Sequence, residues 1–168
     1  MRTLNPNSTT AGARIIGQPA AHVEGPGPDV MAAATLDGNP VISIDGDDVG
    51  KIKQIMLDVR SGRIAYAVLS TGGFLGVGEK LLAIPWTALA LDIENKCFRL
   101  DMATERVKNA PGFDKHHWPS MADQTWATSV HQYYGSEPYW GSDEFLVDPV
   151  ESDTPTTAEV RNGMNRIS

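Results

Sequence analysis

Residues 40–70 read PVISIDGDDVGKIKQIMLDVRSGRIAYAVLS, a series of apolar alternations cut twice by turn residues, at DGDDVG and at RSG. A period of two places every second side chain on one face of a strand, and Gly, Asp and Ser between such runs reverse the chain. This stretch commits the chain to two consecutive β-hairpins. The long middle strand carries an irregularity of its own. Ile52 falls on one parity and Ile55, Leu57 and Val59 on the other, which a β-bulge near Lys53 and Gln54 produces. Bulges bend strands, as a small barrel requires. In RIAYAVLS, Ile64, Tyr66 and Val68 share one face and Ala65, Ala67 and Leu69 the other, so both faces are apolar. That strand is expected to be covered twice, by a barrel core and by a tail or partner.

The next stretch, GGFLGVGEK, holds four glycines and a lysine and invites comparison with a phosphate-binding loop. Such a loop leads from a strand into a helix, whose first amide groups and positive dipole hold the anion. Here EKLLAIPW follows, a short apolar run ended by Pro85 with no cap and no amphipathic period, and the glycines have neither the GxGxxG order nor a GK[ST] ending. The loop is therefore expected to join two strands as a long hairpin tip, its glycines permitting positive φ angles. Phe74, Leu75 and Val77 are too apolar for a solvated tip. They either fold back under another segment or form a contact surface for a second protein.

Beyond Trp86, TALALDIENKCFRLDM reads as a turn and a further hairpin, with Phe98 and Leu100 facing inward and Cys97 on the face of Arg99 and Asp101. ATERVKNAP makes a short helix that Pro111 stops by restricting Ala110. Asp123 is placed to cap a helix from Gln124 to Tyr134, and Gly135 to end it. Trp126, Val130, Tyr133 and Tyr134 form its apolar stripe, which must be buried on the barrel or across a dimer interface.

The flanks differ in composition. Residues 1–32, closed by EGPGPD, lack hydrophobic periodicity and are expected to form a disordered arm; residues 141–168 are acidic, contain Pro and Thr, and are expected to form a flexible tail in which FLV could dock. Between them lie a barrel domain at 33–110 and an aromatic helical extension at 111–140. The net charge of -7 is uneven: residues 40–110 carry nine acids and nine bases, whereas from Pro111 onward nine acids face only Lys115, Arg161 and Arg166. Direct nucleic-acid binding is not expected, because no cluster of Lys and Arg exists to displace counterions from phosphates. No run approaches the roughly 20 apolar residues of a membrane span, and the first 30 residues offer no secretory pattern, so a cytoplasmic address is expected. Cys97, the single cysteine, cannot form an intrachain disulfide and is read as a structural thiol, since neither neighbour is a base that would activate it.

Three pieces together resemble the PRC-barrel family: GDDVGKIKQIMLDVRSGRIAYAVLSTGGFLGVGEKLLAIPW, then APGFDKHHWP, then HQYYG. The first is similar to the family's opening hairpin, its Asp-x-x-x-Gly-x-Ile-x-Tyr second turn, and its Gly-Gly-Phe-Leu-Gly loop leading to Pro-Trp. The resemblance runs from about Leu36 to Tyr134. It implies a mainly β fold, a small, strongly bent antiparallel PRC-type β-barrel with short C-terminal helices, commonly serving as a protein-interaction module. Related barrels form the cytoplasmic domain of the photosynthetic reaction-centre H subunit and part of a ribosome-maturation factor. This chain shows neither the transmembrane helix of the first nor the preceding domain of the second, and looks more like stand-alone bacterial members associated with stress responses. No catalytic residue is carried over from the family.

Candidate chemistry is sparse. His116, His117 and His131, with Asp114 and Asp123, are the only cluster of metal-ligating types, and a metal or small-ligand enzyme on them is the alternative reading; adjacent histidines, however, point apart, and a site needs three or four converging ligands. The acids of DGDD are expected to serve a tight turn by local backbone bonding. Ser43 and Ser70 have no histidine near them in sequence. The leading expectation is a non-enzymatic interaction or adaptor protein without catalytic residue, metal or cofactor. Its contact residues are Phe74, Leu75 and Val77 at the tip, with Tyr66, Trp86, Trp126, Tyr133 and Tyr134 beside them. A protein partner or a homodimer is expected, and peripheral membrane association is disfavoured by negative charge and the lack of a basic amphipathic helix.

Overall fold

A computed structural model describes residues 12–18, 29–72 and 78–140. Seven strands form one sheet: β1 (Arg14–Ile16), β2 (Pro40–Ile42), β3 (Asp48–Asp58), β4 (Arg63–Ser70), β5 (Leu81–Pro85), β6 (Leu89–Asp92) and β7 (Cys97–Leu100). Three helices accompany them: α1 (Ala33–Leu36), α2 (Thr104–Lys108) and α3 (Gln124–Tyr134). The spatial order is β1-β6-β7-β2-β3-β4-β5.

The hairpins expected from turn chemistry are present as β2–β3, β3–β4, β4–β5 and β6–β7. The mainly β fold with short helices is present as expected, while the sheet is not closed into a barrel and two of its strand pairs are parallel. β1 runs parallel to β6 and β2 parallel to β7, and β1 and β5 stand at opposite ends of the sheet order without pairing. Parallel pairing arises because β7 returns beside β2 after the intervening hairpins, bringing residues from distant parts of the chain together. The arm at 1–32 also needs correction at Arg14–Ile16, where Ile15 and Ile16 form an edge strand on β6.

The register of β3 against β4 shifts between Ile52 and Gln54, where the parity change in the sequence demanded it. A second shift, between Met56 and Leu57, leaves Ala65 of β4 without an opposite residue. Two shifts bend and twist this pair strongly. Gly50 makes the bend possible on the other side of the same strand: its φ is +139°, and a Cβ there would collide with the Ser70 carbonyl across the ladder.

The sheet buries side chains on both faces. Val41, Ile52, Leu69, Ile84, Phe98 and Val107 belong to the main core, together with Leu36 of α1 and Ala110. On the opposite face Ala65, Tyr66 and Ala83 meet Ala127 of α3. The double burial of β4 expected from its two apolar faces is thus achieved within one chain, by the core beneath and α3 above. Asp123 caps α3 through a bond from the Trp126 amide at 2.8 Å, and Gly135 ends it in the left-handed conformation, as the sequence specified.

Candidate functional site

The far half of β3 pairs only with β4, so the end of that hairpin projects beyond the main core. Its apolar side chains are consequently exposed: Leu57 by 59% and Val59 by 89%. Alongside runs the start of α3 and the segment that follows its end. Between them lies an open cleft of about 690 Å³, whose walls include Met56, Leu57, Val59, Met121, Tyr139 and Trp140.

The floor of this cleft is an aromatic cluster. Tyr66 meets Trp126 edge-on at a centroid distance of 5.5 Å and Tyr139 edge-on at 6.0 Å, and lies tilted against His131 at 5.7 Å. Trp140 stands nearly perpendicular to both His131, at 5.2 Å, and Tyr139, at 5.0 Å. These edge-to-face arrangements suit the ring quadrupoles. The chain after α3 is held against the hairpin by Arg63, whose Nη1 donates to the Tyr139 carbonyl at 3.0 Å.

Two polar atoms inside the cluster have no hydrogen-bond partner among the described residues, the Tyr66 hydroxyl and Nε2 of His131, although both residues are only 1% exposed. The other ring nitrogen of His131 lies 3.0 Å from the Ser136 hydroxyl. Burial pushes the His131 imidazole below its ordinary pKa, with hydrogen bonding at Ser136 and Glu137 opposing, and pushes the Tyr66 phenol well above its own. Both groups are neutral near pH 7, which makes their burial tolerable and excludes Tyr66 as a ready base.

The histidine cluster considered from sequence does not assemble. His131 is not a surface histidine; it is enclosed by rings, because the inner face of α3 passes through position 131 between Ala127 and Tyr134. His116 and His117 lie in an exposed turn organised by Asp114, which accepts from the His116 amide and pairs with Nδ1 of His117, both at 2.7 Å. Those two contacts hold the Asp114 carboxyl below its usual pKa. Among the described residues no three His, Cys, Asp or Glu side chains converge as metal ligands.

The acids of DGDD do more than shape their own turn. Asp48 bonds locally, accepting from the Gly50 amide. Asp45 instead accepts from the Thr104 amide at 2.7 Å and Asp47 from its hydroxyl at 2.7 Å, while Ser43 donates to that hydroxyl at 2.8 Å. The first hairpin thereby caps α2, whose preceding Ala103 has no capping side chain. Cys97 is buried despite sharing its face with exposed Arg99, and that burial, with the Asp92 charge, raises its thiol pKa. Its chemistry is that of an inert structural thiol.

The expected contact residues occupy unlike places. Tyr66 is buried in the cluster and supports the cleft from below, so it presents no surface of its own. Trp126 is half-buried beside it. Trp86 packs on Phe98 at 5.7 Å in the main core. Tyr133 and Tyr134 lean on the same core, Tyr133 donating to the Arg106 carbonyl at 2.7 Å. Phe74, Leu75 and Val77 lie outside the described residues. Met56, Met121, Tyr139 and Trp140 were not singled out from sequence. The adjacent aromatics of EPYW were the available signal, whereas the methionines have no local pattern that separates a cleft wall from a core filler.

In a comparison with protein families, the PRC-barrel domain matches residues 28–106, the span that holds β2 to β7. Over those residues the chain carries a PRC-barrel domain. The match ends inside α2, so in this PRC-barrel protein α3 and the Tyr139–Trp140 pair lie outside the matched domain. The cleft is built jointly by the PRC-barrel domain and its extension. No curated protein matches the chain. Among the described residues no helix of this PRC-barrel protein is long and apolar enough to cross a membrane.

Proposed function

We propose that this chain is a non-enzymatic protein-interaction module that receives an apolar stretch of polypeptide in the cleft between the β3–β4 hairpin and α3. A cytoplasmic address and the capacity to self-associate belong to the same proposal. The observation that carries it is the exposure of Leu57 and Val59 at the lip of a cleft walled by methionine and aromatic side chains. An exposed apolar lip is costly to leave in water unless something covers it. Methionine walls adapt to varied side chains, and aromatic walls supply large contact area at little entropic cost.

The test is to pan a displayed library of random short peptides on the wild-type protein and on Val59→Glu, after circular dichroism has shown both to be folded. Val59 is outside the core, so the substitution changes the lip and spares the fold. Enrichment of apolar peptides by the wild type and its loss in Val59→Glu is the expected outcome; equal recovery from both proteins removes the cleft as the binding surface. The glycine-rich tip offers a second contact surface, on the strength of Phe74, Leu75 and Val77 in sequence. Peptide or self-association lost in Phe74→Asp and kept in Val59→Glu would move the function there.

A further inference from the structure

We infer that the resident occupant of the cleft is the chain's own C-terminal segment, with Phe145, Leu146 and Val147 seated against Leu57, Val59 and Trp140. This rests on the cleft being an interaction site and adds its regulation: an outside partner must displace a tethered competitor.

Four observations point to this occupant. Trp140, itself a wall of the cleft, is where the described chain ends, so the next residues start at the site. Phe145 follows five positions later, a reach of at most about 17 Å, enough to turn back across the opening. Residues 145–147 are the only three consecutive apolar residues in 141–168. Charge also fits. Asp143 and Glu144 precede the triplet and Asp148 follows it, whereas the cleft wall presents Arg60. Among the described residues of the cleft wall the one acid is Asp58, whose oxygens accept from the Arg60 amide and from the amide and hydroxyl of Ser61.

Tethering makes a weak contact effective. A linker of a few residues holds the triplet at an effective concentration of about a millimolar or more, so even a contact too weak to matter between separate molecules fills the cleft. If the segment is docked about nine-tenths of the time, apolar ligands bind about tenfold more weakly than to the open cleft.

The test uses the full chain with p-benzoylphenylalanine in place of Val59, irradiated and mapped by mass spectrometry. The expected product has monomer mass and joins position 59 to residues 143–149. A crosslink of dimer mass would assign the cleft to a second copy, and a monomer crosslink confined to other segments would also overturn the proposal. A companion variant, Phe145→Asp with Leu146→Asp, keeps the matter decidable if the crosslinker distorts the lip. It is expected to bind a fluorescein-labelled peptide of residues 143–149 about tenfold more tightly than the wild type does. Equal binding overturns the proposal. Val59-dependent peptide selection together with no cis crosslink would leave the interaction reading standing and remove only the tail; failure of both removes both.

Discussion

The two faces of β4 are buried by unlike means. Beneath it, Ala67 and Leu69 join a mostly aliphatic core that also contains Ile52, Ile84, Leu89 and Phe98, with Tyr134 and its one hydroxyl, unpartnered among the described residues, packed at the edge. Above it, Tyr66 enters a shell of rings contributed by α3 and by Tyr139 and Trp140, and this shell includes two polar atoms without partners among the described residues. An aliphatic core is complete once it is filled. A shell of amphipathic rings remains open to further hydrogen bonding and further packing, and here it opens into the cleft. The difference places stability mainly below the strand and the proposed binding surface above it.

The largest effect should come from the lower face. Phe98→Ala deletes a fully buried ring in contact with Trp86 and should lower stability by about 3–5 kcal/mol in denaturant titration. A loss as small as that of surface substitutions would break the contrast between the faces. Gly50→Ala should follow, at on the order of 2 kcal/mol or more, because the added Cβ meets the Ser70 carbonyl at a strained φ. Asp123→Ala removes the cap of α3 and should cost about 1 kcal/mol. Since most of α3 covers the upper face and only its last turn reaches the main core, hydrogen exchange should accelerate in α3 and at Tyr139–Trp140 more than in β6 and β7.

The upper face should also show effects of unusual sign. Tyr66→Phe removes a buried hydroxyl that has no partner while keeping the ring, and should leave stability unchanged or raise it by up to about 1 kcal/mol. A clear loss would mean that the hydroxyl is satisfied in solution, by water or by the occupant of the cleft. His131 supplies the smallest effect, read against pH. Its folded pKa is depressed from the usual value of about 6.5, so the unfolded chain binds the proton more readily. Its contribution to stability is therefore full above the unfolded value, declines as pH falls through it, and levels off below the folded value. Comparing thermal unfolding of wild type and His131→Phe from pH 8 to pH 5 isolates this slope, which the variant should lack.

Local features were legible because their causes are local. The bulge at Lys53 followed from the parity of Ile52 against Ile55, the ends of α3 from Asp123 and Gly135, and the hairpins from their turn residues. The loop after β4 was correctly read as joining two strands, since no helix follows the glycines. Other features escaped. The stripe on α3 was centred on its large aromatics, yet Ala127 and His131 are its most buried positions, because the ring of Tyr66 fills the space that larger side chains would need. Asp45 and Asp47 read as turn acids because their second partner, Thr104, lies far along the chain.

By itself, then, the sequence determined where strands begin and reverse, where α3 starts and stops, and that β4 must be covered on both sides, since periodicity, capping and turn preference act over a few residues. Tertiary structure decided what covers β4, that β1 and β2 take parallel partners, that the sheet stays open, that three histidines separate instead of converging, and that two methionines and an aromatic pair meet at one cleft. Those outcomes depend on which distant surfaces pack together, and no local preference encodes that choice.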